Sequence, residues 1–502
     1  MFIFATENQI QMRKLFTFIV CILSASLFVA CDNKPHHTLY AIQVESIVSC
    51  TYDRQTIEIG YQLMGEEAPI TVTTSAEWIL NIDAETEGKI KLDIAANDGG
   101  ERVARLVIKA TGHQTTEVQI SQISAPKGAS HTLMFYFFGT SLERYFRTNI
   151  EDAMTAIKEG ALGDNNRVIF LLQYGTSSAY ISEICYDRTS GKCMERKIEN
   201  IKINSSHITT EEIGQNIAKM AEYAPADRYG IVFAGHGQGW IPREVLNGSG
   251  GISSLSVSYD VWQPAMGAEV TRAFGETNVQ VNPSELAEGI EKSNVELDYI
   301  LFDACFMANI EAVYDLRNAA NYIIASPCEI MGKGFPYHRT LPYLFAANGA
   351  SSDLKGAAES YYRFYRDEYS SSSRCGSVAV FDCAEVDALA ETTKRVVSTA
   401  REEYDTSKLQ TYEGQSKHQF YDFGEWANVV ATDEAALAAF NSQLENTIIA
   451  KYSLPSFYSA YGSYGTYPID LDVYSGVTTS APSVAHPAAW RETNWYKNVW
   501  QE

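Results

Sequence analysis

Two residues in this sequence have both the type and the setting for covalent chemistry. Cys305 stands in Asp303-Ala304-Cys305 and His236 in Gly235-His236-Gly237, each at the end of a short apolar run. A cysteine thiolate is a nucleophile near neutral pH, and an imidazole can take the thiol proton and later return it to a leaving amine. Such a pair would carry out acyl transfer, and with water as the final acceptor it would hydrolyse an amide. The backbone N–H groups of Gly237 and Cys305 are the candidate donors to the oxyanion that forms on the way. The glycines flanking His236 would allow a substrate chain to approach closely. Cys305 also lies just before the amphipathic stretch 308–317, so a helix N-terminus is expected to stabilise its thiolate. Taken singly, a cysteine at a buried strand end is more often a small core residue, and a lone histidine is more often structural. The matching positions of the two are what lift them above that reading.

The elements that must position the pair are two short apolar runs, residues 229–234 before His236 and 297–302 before Cys305. From His131 onward such runs alternate with amphipathic stretches. Residues 134–138 and 168–172 are continuously apolar, with an amphipathic stretch, 142–157, between them. Thr209-Thr210-Glu211-Glu212 has the spacing of a capping box, and Asn282-Pro283-Ser284-Glu285 places Pro at the first helical position. The alternation predicts an α/β domain over 131–502, a mostly parallel sheet with helices on both faces. Ligands of such sheets collect beyond the carboxyl ends of the strands, where both reactive residues fall.

Residues 39–123 show a different period. Lys89-Ile90-Lys91-Leu92-Asp93-Ile94 alternates strictly, and Asn97-Asp98-Gly99-Gly100 is a turn, so 38–124 is expected to form a small all-β sandwich joined by a linker at 125–130. Ahead of it, Met12-Arg13-Lys14, an apolar run over 15–30 and Cys31 read as a secretion signal, with residues 1–11 an upstream mis-start. The segment Leu27-Phe28-Val29-Ala30-Cys31 resembles a bacterial lipobox, which implies lipidation of Cys31 and attachment to the cell envelope, in the periplasm or at the outer membrane surface.

Composition limits the remaining classes. With 39 basic and 62 acidic residues in 502, the net charge of −23 opposes nucleic-acid binding. Of nine cysteines, seven remain outside the leader, an odd number, and Cys185 and Cys193 bracket a turn that a disulfide could close. No zinc or EF-hand spacing is present, so no metal or other cofactor is read from the residues. No Gly-x-Ser-x-Gly elbow supports a serine hydrolase. The competing reading is a non-catalytic surface lipoprotein that binds glycan or protein.

The succession strand, Gly-His-Gly, strand, Asp303-Ala304-Cys305-Phe306-Met307-Ala308-Asn309 is similar to the clostripain family of cysteine peptidases, a relative of caspases, legumain and gingipains. The likeness extends to residues 325–337 and to Tyr421-Asp422-Phe423-Gly424-Glu425-Trp426, covering about 131–500. It implies a caspase-like fold and an endopeptidase acting on protein or peptide substrates after Arg or Lys, with His236 and Cys305 as the dyad. Asp303 matches the family's acidic position in the S1 pocket, and Glu329 is the second candidate. Family members often cut themselves after a basic residue between the dyad positions, which implies Arg243 or Arg272 here. Calcium dependence is implied by analogy with some members. The all-β region resembles BACON-type domains of surface proteins, which implies a spacer or a weak glycan contact.

Overall fold

Strict alternation buries one face of a strand, and continuous apolar runs bury two; the chain uses the first pattern before residue 124 and the second after it. The computed structural model describes residues 39–163, 165–204, 207–246, 266–273, 280–345, 351–401, 403–415, 417–461, 468–481 and 485–501. The signal-like segment with Cys31 and the Gly/Ser stretch 247–254 lie outside them.

The N-terminal region comprises β1 (Ile42–Val44), β2 (Ile47–Cys50), β3 (Gln55–Leu63), β4 (Ile70–Thr73), β5 (Ile79–Asp83), β6 (Lys89–Ile94), β7 (Arg102–Ala110) and β8 (Thr116–Gln122). They form two four-stranded sheets, ordered β1-β3-β6-β5 and β2-β8-β7-β4. Ile90, Leu92 and Ile94 of one sheet share a core with Leu106, Ile108, Val118 and Ile120 of the other, while Lys89 and Lys91 stay exposed.

The second region is built on a nine-stranded sheet. Its strands are β9 (His131–Phe137), β10 (Asn166–Gly175), β11 (Ser178–Asp187), β12 (Lys192–Lys202), β13 (Arg228–Ala234), β14 (Tyr299–Asp303), β15 (Tyr322–Ala325), β16 (Val378–Asp382) and Ile448–Tyr452. The spatial order is β12-β11-β10-β9-β13-β14-β15-β16, with Ile448–Tyr452 last. The five central strands, β10, β9, β13, β14 and β15, are mutually parallel, and both edges finish in antiparallel pairs. Every residue of β9 and β14 is buried, as expected of strands covered on both sides. The helices pack in two rows: Glu143–Lys158, Tyr337–Leu344 and Leu354–Asp367 in one, Thr210–Tyr223, Pro283–Lys292 and Ile310–Leu316 in the other. Thr209 closes the expected capping box with Glu212. At the other predicted helix start Asn282 is the cap, its N–H donating to Glu285 Oε2 at 3.1 Å, while its side-chain oxygen also accepts from the Arg243 N–H at 3.0 Å.

The all-β region is seated on the β11–β12 hairpin. Glu183, almost fully buried, accepts from Tyr52 Oη at 2.8 Å and from Arg167 Nε at 2.7 Å, and Arg196 bridges it to Asp53. A buried carboxylate is tolerated only with such partners, so this contact orders the two regions relative to each other. The same hairpin corrects the disulfide expectation. Cys185 lies opposite Met194 and Cys193 opposite Tyr186, a one-residue offset that sends the two thiols to opposite faces, and both are free.

Candidate active site

β13 and β14 run side by side with Ala234 opposite Asp303, so the residues leaving their carboxyl ends emerge together. His236 and Cys305 are thereby brought to one crevice. A Cβ at Gly237 would fall 2.1 Å from the Cys305 carbonyl oxygen and 2.7 Å from its nitrogen, so only glycine fits there. The next residue, Phe306, has φ of +62°, a left-handed conformation costing a side chain about 1–2 kcal/mol. It is held there by stacking on Phe420, with ring centroids 4.8 Å apart, and by its N–H donating to the Cys328 carbonyl at 3.1 Å.

The expected helix dipole at the thiol is not where the sequence put it. The helix begins at Ile310 with Asn309 as its cap, five residues beyond Cys305. The thiol sulfur instead accepts the N–H of Ile330 at 2.9 Å. Cys305 is fully buried, and burial, reinforced by the charge of Glu329, pushes its pKa well above the ordinary range. His236 Nδ1 lies 3.1 Å from the Ala273 carbonyl and Nε2 2.9 Å from Ser141 Oγ. Since a carbonyl only accepts, the proton in that pair belongs to Nδ1. Ser141 follows the carboxyl end of β9, next to β13, and the rule that located the other two residues points to it as well.

The crevice holds a strand of the chain itself. Arg272 N–H donates to the Ile330 carbonyl at 2.8 Å, Gly332 N–H to the Val270 carbonyl at 2.7 Å, and Thr271 bridges Met331 in antiparallel sense. The Arg272 carbonyl accepts from Gly237 N–H at 2.7 Å and from Cys305 N–H at 3.4 Å. These are the two groups expected to serve an oxyanion. The following residue, Ala273, meets His236 and also accepts from Tyr461 Oη at 2.9 Å. The Arg272–Ala273 peptide bond thus has Cys305 against the Arg272 carbonyl and His236 against Ala273.

The Arg272 side chain is fully buried against Asp303. Nη1 is 2.8 Å from Asp303 Oδ2 and 3.0 Å from the Asp303 carbonyl, Nη2 is 2.8 Å from Asn149 Oδ1, and Nε and Nη2 are each 3.1 Å from the Gly332 carbonyl. Asp303 is itself held by the Phe335 N–H at 3.2 Å and Tyr337 Oη at 2.8 Å. Burial raises its pKa, and the guanidinium opposes that rise. Gly334, at φ of +71°, closes the pocket, where a Cβ would lie 2.3 Å from Arg272 Nη2 and 2.5 Å from Asp303 Oδ1. Gly334 fell within the family-like stretch 325–337, whereas Asn149 and Tyr461 had no distinguishing sequence context beyond their elements.

Two other candidates sit elsewhere. Glu329 faces Thr271, not Arg272, and burial pushes its pKa up to about 7. Arg243 is committed to Glu285 at 2.7 and 2.8 Å, so Arg272 and not Arg243 is the basic residue brought to Cys305. Among the described residues no group of three or more His, Cys, Asp or Glu side chains is arranged to hold a metal ion.

The family model of the clostripain family matches residues 137–453. The chain belongs to that family. Three solved structures of its cysteine peptidases are similar to it. A secreted C11 cysteine protease of Bacteroides thetaiotaomicron, "iotapain", shares 29% identity at a TM-score of 0.64, covering 74% of this chain and all of its own. An inactive zymogen C11 protease from Parabacteroides distasonis shares 26% at 0.61, covering 75% of this chain and all of its own. A secreted C11 cysteine protease of B. thetaiotaomicron in complex with an irreversible peptide inhibitor shares 25% at 0.60, covering 74% of this chain and 99% of its own. No curated protein matches the chain. The clostripain-family fold is the mixed α/β sheet described above, and among the described residues no helix is long and apolar enough to cross a membrane.

Proposed function

We propose that this clostripain-family peptidase is an endopeptidase that cleaves after arginine through Cys305 and His236, and that its first substrate is its own Arg272–Ala273 bond. The observation that carries the reading is the seat of Arg272, whose carbonyl lies between the N–H groups of Gly237 and Cys305 while its guanidinium rests on Asp303. His236 takes the Cys305 thiol proton as the sulfur adds to the Arg272 carbonyl carbon. The two N–H groups stabilise the oxyanion, and His236 supplies a proton to the Ala273 amine as the peptide bond breaks. Water then hydrolyses the thioester, restoring the thiol and releasing the Arg272 carboxylate. Before that cut, the segment over 269–273 fills the cleft that other substrates would use.

The pocket favours arginine over lysine. Asp303, its carbonyl, Asn149 and the Gly332 carbonyl are arranged around three guanidinium nitrogens, and a single ammonium would leave buried acceptors unfilled. The lipobox-like residues Ala30-Cys31 further support a lipid-anchored enzyme at the cell envelope, testable by acyl labelling of wild type and Cys31→Ala. For the peptidase, purified full-length chain is followed by mass spectrometry. New termini at Arg272 and Ala273 in the wild type, none in Cys305→Ala, and subsequent cleavage of P1-Arg peptide reporters are expected. A Cys305→Ala chain that cuts itself at the same bond removes Cys305 as nucleophile.

A further inference from the structure

Adjacent residues of an extended strand point to opposite sides, so Arg272 and Thr271 enter different pockets although they are neighbours in sequence. Arg272 meets Asp303, and Thr271 meets the second buried carboxylate of the cleft. Thr271 is 5% exposed, and its hydroxyl donates to Glu329 Oε2 at 2.6 Å. The other oxygen, Oε1, is fixed by Ser459 Oγ, and the Ala460 N–H lies 3.1 Å from both oxygens. Glu329 is fully buried, on the loop after β15 that also supplies Ile330 to the Arg272 N–H and to the Cys305 sulfur. Its Oε2 therefore depends on the side chain in the position before arginine for its strongest hydrogen bond.

We infer that Glu329 reads the P2 residue, and that the mature peptidase selects substrates with a hydroxyl-bearing Thr or Ser immediately before the P1 arginine. This rests on the reading of the cleft given above, with the segment over 269–273 seated as substrate. Thr and Val have nearly the same shape, so the hydroxyl alone separates them. A P2 valine leaves a buried carboxylate oxygen short of a donor, whereas a P2 aspartate adds a second negative charge beside it. Leaving such a group unpaired corresponds to a loss of roughly 10- to 100-fold in kcat/KM.

The test uses matured wild-type enzyme and peptide reporters identical except at P2, with Thr, Ser, Val or Asp before a P1 Arg. Thr and Ser should exceed Val by that factor, with Asp lowest. In the full chain, Thr271→Val should slow the cut after Arg272 by a similar factor while Thr271→Ser stays near wild type. Glu329→Gln should compress the Thr-to-Val ratio at least threefold while the preference for Arg over Leu at P1 persists. Efficient cleavage of the P1-Arg peptides with Thr and Val equal within twofold overturns the P2 reading alone. Failure to cleave any P1-Arg peptide overturns the proposed function together with it. The wild-type ratios decide the matter even if Glu329→Gln does not fold.

Discussion

Asp303→Asn removes one charge from an ion pair in which both side chains have no solvent exposure and the contact is 2.8 Å. The loss is more than Coulombic. The two carboxylate oxygens of Asp303 serve Arg272, the Phe335 N–H and the Tyr337 hydroxyl, and an asparagine offers one acceptor oxygen to all of them while turning an NH2 group toward a cation. Removing one partner of a buried pair costs about 3–5 kcal/mol. At 1.36 kcal/mol per factor of ten, that is roughly a 100- to 5000-fold slower cut after Arg272. The antiparallel pairing of residues 270–272 and the two N–H groups on the Arg272 carbonyl do not involve the Asp303 side chain, so the deficit should fall on the arginine pocket and not on the fold. The assay is a gel time course of purified full-length Asp303→Asn against wild type, with fragment masses fixing the bond and a thermal melt checking the fold. Conversion of a folded Asp303→Asn chain at Arg272 within threefold of the wild-type rate would refute the assignment of Asp303 as the arginine-binding carboxylate.

Other perturbations follow from the same geometry. Arg272→Lys keeps the charge but leaves the Asn149 and Gly332 acceptors short of donors, and self-cleavage should slow about 10-fold, at ~1–2 kcal/mol for the lost hydrogen bonds, measured by the same gel assay. Gly334→Ala puts a methyl group where the Arg272 and Asp303 head groups stand, and at φ of +71° it adds about 1–2 kcal/mol of strain; P1-Arg peptide hydrolysis should fall more than 100-fold while the sheet remains folded by circular dichroism. His131, buried against Tyr299 and Phe345 with neither ring nitrogen paired among the described residues, has its pKa lowered to about 4 by burial. Unfolded, it would titrate near 6.5, so the unfolded chain binds the extra proton and stability falls as pH drops from about 6.5 toward 4. In the Cys305→Ala background, His131→Phe should remove about 2.5 kcal/mol of the difference in urea stability between pH 7 and pH 4.5, and an unchanged difference would show that His131 is not the buried base.

The shared location of His236 and Cys305 was legible in the sequence because its determinants are local. Apolar runs of five or six residues fit buried strands, and the carboxyl ends of adjacent parallel strands share a crevice. His236 and Cys305 follow two such neighbouring ends, and Asp303 comes with Cys305 as part of one motif. The helix start was misplaced because amphipathicity over 308–317 does not register the turn at Phe306, whose left-handed conformation is maintained by Phe420, more than a hundred residues away. Cys185 and Cys193 looked able to pair because hairpin register, not spacing, decides which face a thiol takes.

What the sequence determined by itself, then, was the order of elements, the boundary between alternating and continuous strands, and the residue types at two strand ends. Tertiary structure decided which basic residue meets Cys305 and which carboxylate meets which side chain of the 269–273 segment. Arg243 and Arg272 are equivalent by type and both lie between His236 and Cys305; only the return of residues 269–273 along the 330–332 backbone selects Arg272. Asp303 and Glu329 are likewise both buried acids, and they serve neighbouring residues because an extended strand turns successive side chains to opposite sides. Contacts of that range depend on where the backbone returns after folding, information that spacing along the chain does not contain.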